Sequence, residues 1–138
     1  MYSSETIIRV RYAETDRMGY VYYGNYAAFF ESGRVEALRA LGLSYREMEE
    51  QGIMLPVLSF NIKYYKPAFF DDILTIRTSV KEMPSGTRIH FHYETLNEKK
   101  VTINEGETTH AFLSGGRPVA VPQVVIDKLG VFLVKKPQ

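Results

Sequence analysis

The sequence contains no cysteine. That excludes disulfides, thiolate metal sites and a cysteine nucleophile. No run approaches the ~18 apolar residues of a membrane-spanning helix. The opening residues, MYSSETIIRV, carry no apolar signal core. The expectation is a cytoplasmic protein with no integral membrane segment. An excess of either charge is lacking: 17 basic residues face 16 acidic ones, for a net charge of +1. The basic residues are scattered, so no nucleic acid partner is expected. The basic pair Lys135-Lys136 reads as a solvated end. Phosphate loops of the G-x-G-x-x-G or G-x-x-x-x-G-K-S/T type do not occur, and neither does a G-x-S-x-G elbow. Histidine is sparse as well. His90 and His92 share a strand face with Arg88 and Glu94, which reads as solvent-exposed rather than metal-binding. His110 is a lone strand histidine with a structural reading.

Tyrosine and phenylalanine are plentiful, at ten and eight. Tyr joins an apolar body to a polar tip, which suits pockets and interfaces as well as cores. The length of 138 residues fits one domain with one core, taken as 1–138.

Residues 6–13, TIIRVRYA, alternate with period two and predict a first strand with Ile8, Val10 and Tyr12 inward. The longest helix-period pattern runs from Asn25 to Leu41. Asn25 or Gly24 caps it and Gly42 stops it. At 100° per residue, Tyr26, Phe29, Phe30, Gly33, Ala37, Ala40 and Leu41 share a face. Ala28, Ser32 and Val35 make the other side semi-apolar beside Glu31 and Arg39, which predicts burial on more than one side. Ser44 to Gln51 reads as a short helix with a Ser44–Glu47 capping box. From Ile53 the pattern is β, with Pro56 marking an edge or irregular start. Turns at Pro84-Ser-Gly86, Asn97–Lys100 and Gly115-Gly116 separate the later strands, and RPVAV ends the sheet. Pro122 to Leu133 is a candidate terminal helix. Consecutive strands joined by short turns predict antiparallel pairing, and one long helix on such a sheet predicts an α+β fold.

Between the first strand and the long helix lies ETDRMGYVYYGNY. An Asp in such a loop is ordinarily a turn former. Asp16 is too far from Asn25 to cap the helix, however. Gly19 permits a tight path, and Tyr20, Tyr22, Tyr23 and Tyr26 supply walls. Backbone N–H groups at Tyr23 and Gly24 would project from the helix start, where a developing oxyanion is stabilised. An acid beside oxyanion donors points to acyl transfer or hydrolysis.

The stretch VRYAETDRMGYVYYGNYAAFFESGRVEALRALG resembles the opening motif of hotdog-fold acyl-CoA thioesterases, in the branch of 4-hydroxybenzoyl-CoA thioesterase and the Tol–Pal-associated thioesterases. IKYYKPAFFDDIL resembles that branch's second signature, and NEGETTHAFLSGGRPVAVP resembles its closing strands. The resemblance implies a hotdog fold, a curved antiparallel sheet of about five to six strands wrapped around one long central helix. It implies acyl-CoA hydrolysis with no metal and no cofactor. The family's catalytic Asp falls on Asp16, and its carbonyl-polarising backbone N–H falls on Tyr23. Tyr23 stands where the family often has His, which weakens a side-chain acid or water-orienting role there and leaves the backbone one. Another hotdog branch carries its carboxylate on the helix, near Glu31, the reserve candidate. Candidate substrate-binding residues are Gly19, Tyr22, Gly24, Asn25, Tyr26 and Tyr64. Phe29, Phe30, Phe60 and Met54 are candidates for an acyl pocket, and Lys63, Lys66 and Arg88 for the CoA phosphates. Short-to-medium or aromatic acyl chains are expected, with a homodimer or homotetramer as the assembly. Two other readings are a non-catalytic acyl-CoA or acyl-carrier binding module and a hydratase. The hydratase would ordinarily need a histidine near the helix, and none is there.

Overall fold

The computed structural model describes residues 1–133. In chain order it forms β1 (Tyr2–Arg9), a single 3-10 turn (Tyr12–Glu14), α1 (Asn25–Ala40), α2 (Tyr45–Glu50), β2 (Ile53–Met54) and β3 (Val57–Tyr64). These are followed by β4 (Ile73–Val80), β5 (Arg88–Leu96), β6 (Thr102–Ala111), β7 (Leu113–Ser114), β8 (Arg117–Pro118) and α3 (Gln123–Gly130). The main sheet is fully antiparallel, in the order β1-β4-β5-β6-β3. Helix α1 lies on its inner face. This is the expected hotdog architecture. Lys135-Lys136 and the end of the chain fall outside the described residues.

Three strand expectations need correction. The first strand begins at Tyr2 and ends at Arg9, where its partner β4 begins at Ile73. Ser3 and Ser4 hide its start from a hydrophobicity pattern. Tyr12 is not an inward strand residue; it sits exposed on the 3-10 turn. Sequential pairing holds for β4, β5 and β6 but fails for β3. That strand pairs with β6 at the far edge, and residues 65–72 cross the end of the sheet to reach β4. Nor does RPVAV end the main sheet. Arg117–Pro118 pairs with β7 in a separate three-stranded sheet that also holds β2.

The buried face of α1 is Tyr26, Phe29, Phe30, Gly33, Arg34, Ala37 and Leu38, with Leu41 just beyond. The spacing is that of an amphipathic helix. Arg34 belongs to this face in spite of its charge, and Ala40 does not: it is exposed. The opposite side, with Ala27, Ala28, Glu31 and Ser32, is open within one chain rather than buried. At the C-terminal end Gly42 takes φ +84°, and the Leu43 N–H donates to the Leu38 carbonyl at 2.9 Å, closing the helix as expected. Ser44 caps α2 by accepting the Glu47 N–H.

The helix sits unevenly on the sheet. At Gly33 it comes so close to β4 that a Cβ would lie 2.5 Å from Thr78 Oγ1. Toward β5, β6 and β3, aromatic rings fill a wider space. Phe30 stacks on Tyr93 at 4.4 Å and meets Phe60 at 6.0 Å. Gly106 on β6 makes room for the Phe30 ring. A Cβ there would lie 2.7 Å from Phe30 and 2.9 Å from the Asn61 carbonyl oxygen. Backbone cannot yield as a flexible side chain can. Gly106→Ala should therefore cost about 1–3 kcal/mol, the usual scale of overpacking. A urea midpoint equal to wild type would contradict this account of the helix seating.

Candidate active site

Three segments distant in sequence meet at the start of α1. Residues 15–24 fold back on themselves, with the Asp16 N–H donating to the Tyr20 carbonyl at 2.8 Å and the Gly19 N–H to the Asp16 carbonyl at 3.0 Å. Gly19 has φ +82°, so this turn demands glycine. The crossover segment then docks on the loop. The Val21 N–H donates to the Ala68 carbonyl at 2.8 Å, and the Tyr20 and Phe69 rings meet edge to face at 5.5 Å. The end of β3 adds Tyr64, whose hydroxyl donates to the Tyr23 carbonyl at 3.2 Å.

These segments enclose a cavity of about 340 Å³ lined by Asp16, Tyr20, Val21, Tyr23, Tyr26, Tyr64, Tyr65, Lys66 and Pro67. Among the expected site residues, Asp16, Tyr23, Tyr26 and Tyr64 are thus brought to one concavity. Gly19, Tyr22, Gly24 and Asn25 are not on its lining. They build the turn and helix start instead. The Asn25 side-chain amide donates to the Glu14 carbonyl at 2.8 Å, and so does the Tyr22 N–H. Gly24 is the N-cap residue and leaves the Tyr22 ring room that a Cβ would take. Glu31 lies on the exposed side of α1, roughly two turns beyond Tyr23 and off the lining.

Among the described residues, no protein acceptor is bonded to the N–H of Tyr23 or Gly24. Unpaired donors at a helix start carry partial positive charge. The Asp16 carboxylate is exposed and accepts the Met18 N–H at 2.9 Å, as in an Asx turn. The cavity therefore holds one carboxylate, one lysine and a free helix end between aromatic walls.

Of the three lysine and arginine candidates for phosphate contacts, only Lys66 lies here. Arg88 pairs with Ala111, seven residues along β6 from the Asn104 that pairs with Tyr64, so it stands roughly 23 Å away. Lys63 lines a separate polar groove on the outer face of the sheet. Phe29 and Phe30 are core residues, while Phe60 and Met54 are partly exposed and off the lining. Sequence reasoning passed over Val21, Tyr65 and Pro67. The signal for two of them was present: Tyr65-Lys66-Pro67 sits in the middle of the IKYYKPAFFDDIL stretch.

A family model described as Thioesterase-like superfamily matches residues 10–129. The chain is 37% identical over 97 residues to the putative acyl-CoA thioesterase YneP of Bacillus subtilis, covering 70% of each chain. It is 35% identical over 100 residues to the acyl-CoA thioester hydrolase YbgC of Escherichia coli, covering 72% of this chain and 74% of that one. Among solved structures, it resembles a DHNA-CoA thioesterase from Staphylococcus aureus with 36% identity and a TM-score of 0.84, covering 96% of this chain and 84% of that one.

Tyr26 lies at the back of the cavity and is almost fully buried. Burial pushes its phenol up to about 12, with Tyr64 and Asp72 nearby adding to the effect and Asn104 opposing it. Below the ordinary tyrosine value of about 10 the phenol is neutral in both folded and unfolded chains. Between about 10 and 12 the unfolded chain releases this proton and the folded chain keeps it, so stability falls as pH rises. Tyr26→Phe should show a smaller drop in urea midpoint between about pH 9 and pH 11 than wild type. An unchanged drop would contradict the buried, protonated phenol.

Proposed function

This chain belongs to the thioesterase-like superfamily, and on that premise we propose that it hydrolyses an acyl-CoA thioester, with the Asp16 carboxylate as nucleophile or general base and the Tyr23 N–H polarising the thioester carbonyl. The observation that carries the reading is the pairing of a carboxylate with an unbonded helix start in one cavity. As nucleophile, an Asp16 oxygen would bond to the acyl carbon and the C–S bond would break, leaving CoA thiolate. Water would then cleave the mixed anhydride and return the carboxylate. As general base, Asp16 would take a proton from water as that water attacks the same carbon. In either route the negative charge that develops on the acyl oxygen faces the helix start. Neither route calls on a metal or a cofactor.

The tyrosine walls and Pro67 favour short-to-medium or aromatic acyl groups over long chains. Lys66 is placed to meet a phosphate of CoA. One domain spanning 1–138 and a cytoplasmic location complete the proposal; no helix among the described residues is long and apolar enough to cross a membrane. The assembly is a homodimer or homotetramer. Strand β3 is an unpaired sheet edge with Leu58, Phe60 and Tyr64 partly exposed on its inner face, beside the open side of α1. Such an edge is a template for a second copy. Light scattering should give at least twice the 15.8 kDa of one chain; a monomer at low micromolar concentration would contradict the assembly.

A non-catalytic acyl-CoA or acyl-carrier binding module is the second reading, favoured by the engagement of Asp16 in its own turn. A panel of CoA thioesters with a free-thiol readout separates the two. Asp16→Asn should keep substrate binding and lose on the order of 10²–10⁴ in turnover. Glu31→Gln should retain most activity. The reverse pattern in folded proteins would move the catalytic acid onto the helix, and a wild type inert toward every thioester would favour the binding module. Heavy-oxygen water in a single turnover labels the protein first only if Asp16 is the nucleophile.

A further inference from the structure

Arg34 is a buried cation of α1 with no carboxylate at ion-pair distance among the described residues. Its bonds go to two phenols. Nε donates to the Tyr45 hydroxyl at 3.3 Å, and a terminal nitrogen donates to the Tyr93 hydroxyl at 3.3 Å. Tyr93 in turn lies 2.6 Å from Thr108 Oγ1, which lies 2.8 Å from His110 Nε2, and His110 Nδ1 lies 3.1 Å from the Leu55 carbonyl oxygen. His110 is fully enclosed.

The two ends of this chain fix its direction. A guanidinium only donates and a carbonyl only accepts. Tyr93 therefore accepts from Arg34 and donates to Thr108. Thr108 donates to His110 Nε2, and the His110 proton sits on Nδ1, donating to Leu55. With His110 neutral, all four links are satisfied in one sense only. A second proton on His110 would turn the Thr108 hydroxyl toward Tyr93, whose oxygen would then take two donors while its own hydrogen lost its acceptor. Burial, partly opposed by the Leu55 bond, and the nearby Arg34 charge hold His110 down to about 4, so it stays neutral near pH 7. Phe91 on β5 meets its ring edge to face at 5.4 Å, Tyr93 reaches it through Thr108, and Arg34 on α1 is the charged group acting on it.

The relay crosses the wide side of the helix seat and ends two residues before β3. At the other end of β3, Tyr64 bonds the Tyr23 carbonyl. Helix α1 is thus tied toward the β3 edge at two heights, and between them the rings of Phe30 and Phe60 are the spacers. We propose that Arg34 is a positioning residue: through Tyr93, Thr108 and His110 it sets the tilt of α1 and so the placement of the Tyr23 N–H in the cavity. The effect on turnover rests on the thioesterase reading; the geometry does not.

Ring-labelled histidine NMR should show His110 as the neutral Nδ1–H form, untitrated down to about pH 5. An Nε2–H form, or titration near the ordinary value of about 6.5, would overturn the relay. Tyr93→Phe removes one hydroxyl and little else. It should shift the Tyr23 and Gly24 amide resonances in a folded protein; unchanged resonances would overturn the positioning role whether or not the protein turns over a thioester. In an active enzyme, Tyr93→Phe and Arg34→Met should lower kcat roughly 10- to 100-fold with KM little changed, as for a small misplacement of the reacting groups. Arg34→Lys, which keeps the charge and a donor, should recover part of it. Wild-type kcat in folded Tyr93→Phe would also overturn the role.

Discussion

The place of β3 in the sheet is the constraint on which the candidate site depends. Because this strand pairs with β6 at one edge and the next strand pairs with β1 near the other, the chain between them must cross the end of the sheet. The route it takes passes the start of α1. Residues 65–72 take it, and the Val21–Ala68 hydrogen bond and the Tyr20–Phe69 contact fasten them to the loop that holds Asp16. A hairpin between β3 and β4 would have left the helix start facing solvent with no second wall.

Seating the helix asymmetrically serves the same end. Gly33 lets α1 touch β4, and Gly106 lets a phenylalanine ring lie flat over the other half of the sheet. A helix pressed evenly onto all five strands would leave no room for the rings of Tyr26 and Tyr64, which meet at 5.7 Å behind the cavity. Small residues on one side and large ones on the other produce a wedge, and the wide side faces β6 and β3. The Arg34–His110 chain of hydrogen bonds lies in that wide side, where apolar packing alone would specify the spacing least.

The fold was legible in the sequence because its strongest signals were periodic: the helix from Asn25 to Leu41, and Ile89, Phe91 and Tyr93 alternating with polar neighbours. The loop with Asp16 and Gly19, and the helix start at Tyr23, were legible from chemistry. Arg34 was not, since a charge on an apolar face is normally assigned to solvent and its phenol partners are distant in sequence. The crossover was also hidden, because nothing local distinguishes an eight-residue link that crosses a sheet from one that turns back. Tyr65, Lys66 and Pro67 reach the cavity by that route, so the stretch that holds them marked them out without showing where they would lie. The strand start at Ser3 and Ser4 was missed for a simpler reason: a half-exposed edge tolerates polar residues on its inward side.

The same topology governs when the cavity can exist during folding. Tyr2 pairs with Val80 and Val57 with His110, so both sheet edges close contacts between residues far apart in the chain. Such pairings are slow, because loop entropy is lost before the contacts compensate. The helix and the β4–β5–β6 meander rest on local contacts and can form early. The crossover reaches the helix start only once both edges have joined. Formation of this cavity is then coupled to both edge pairings.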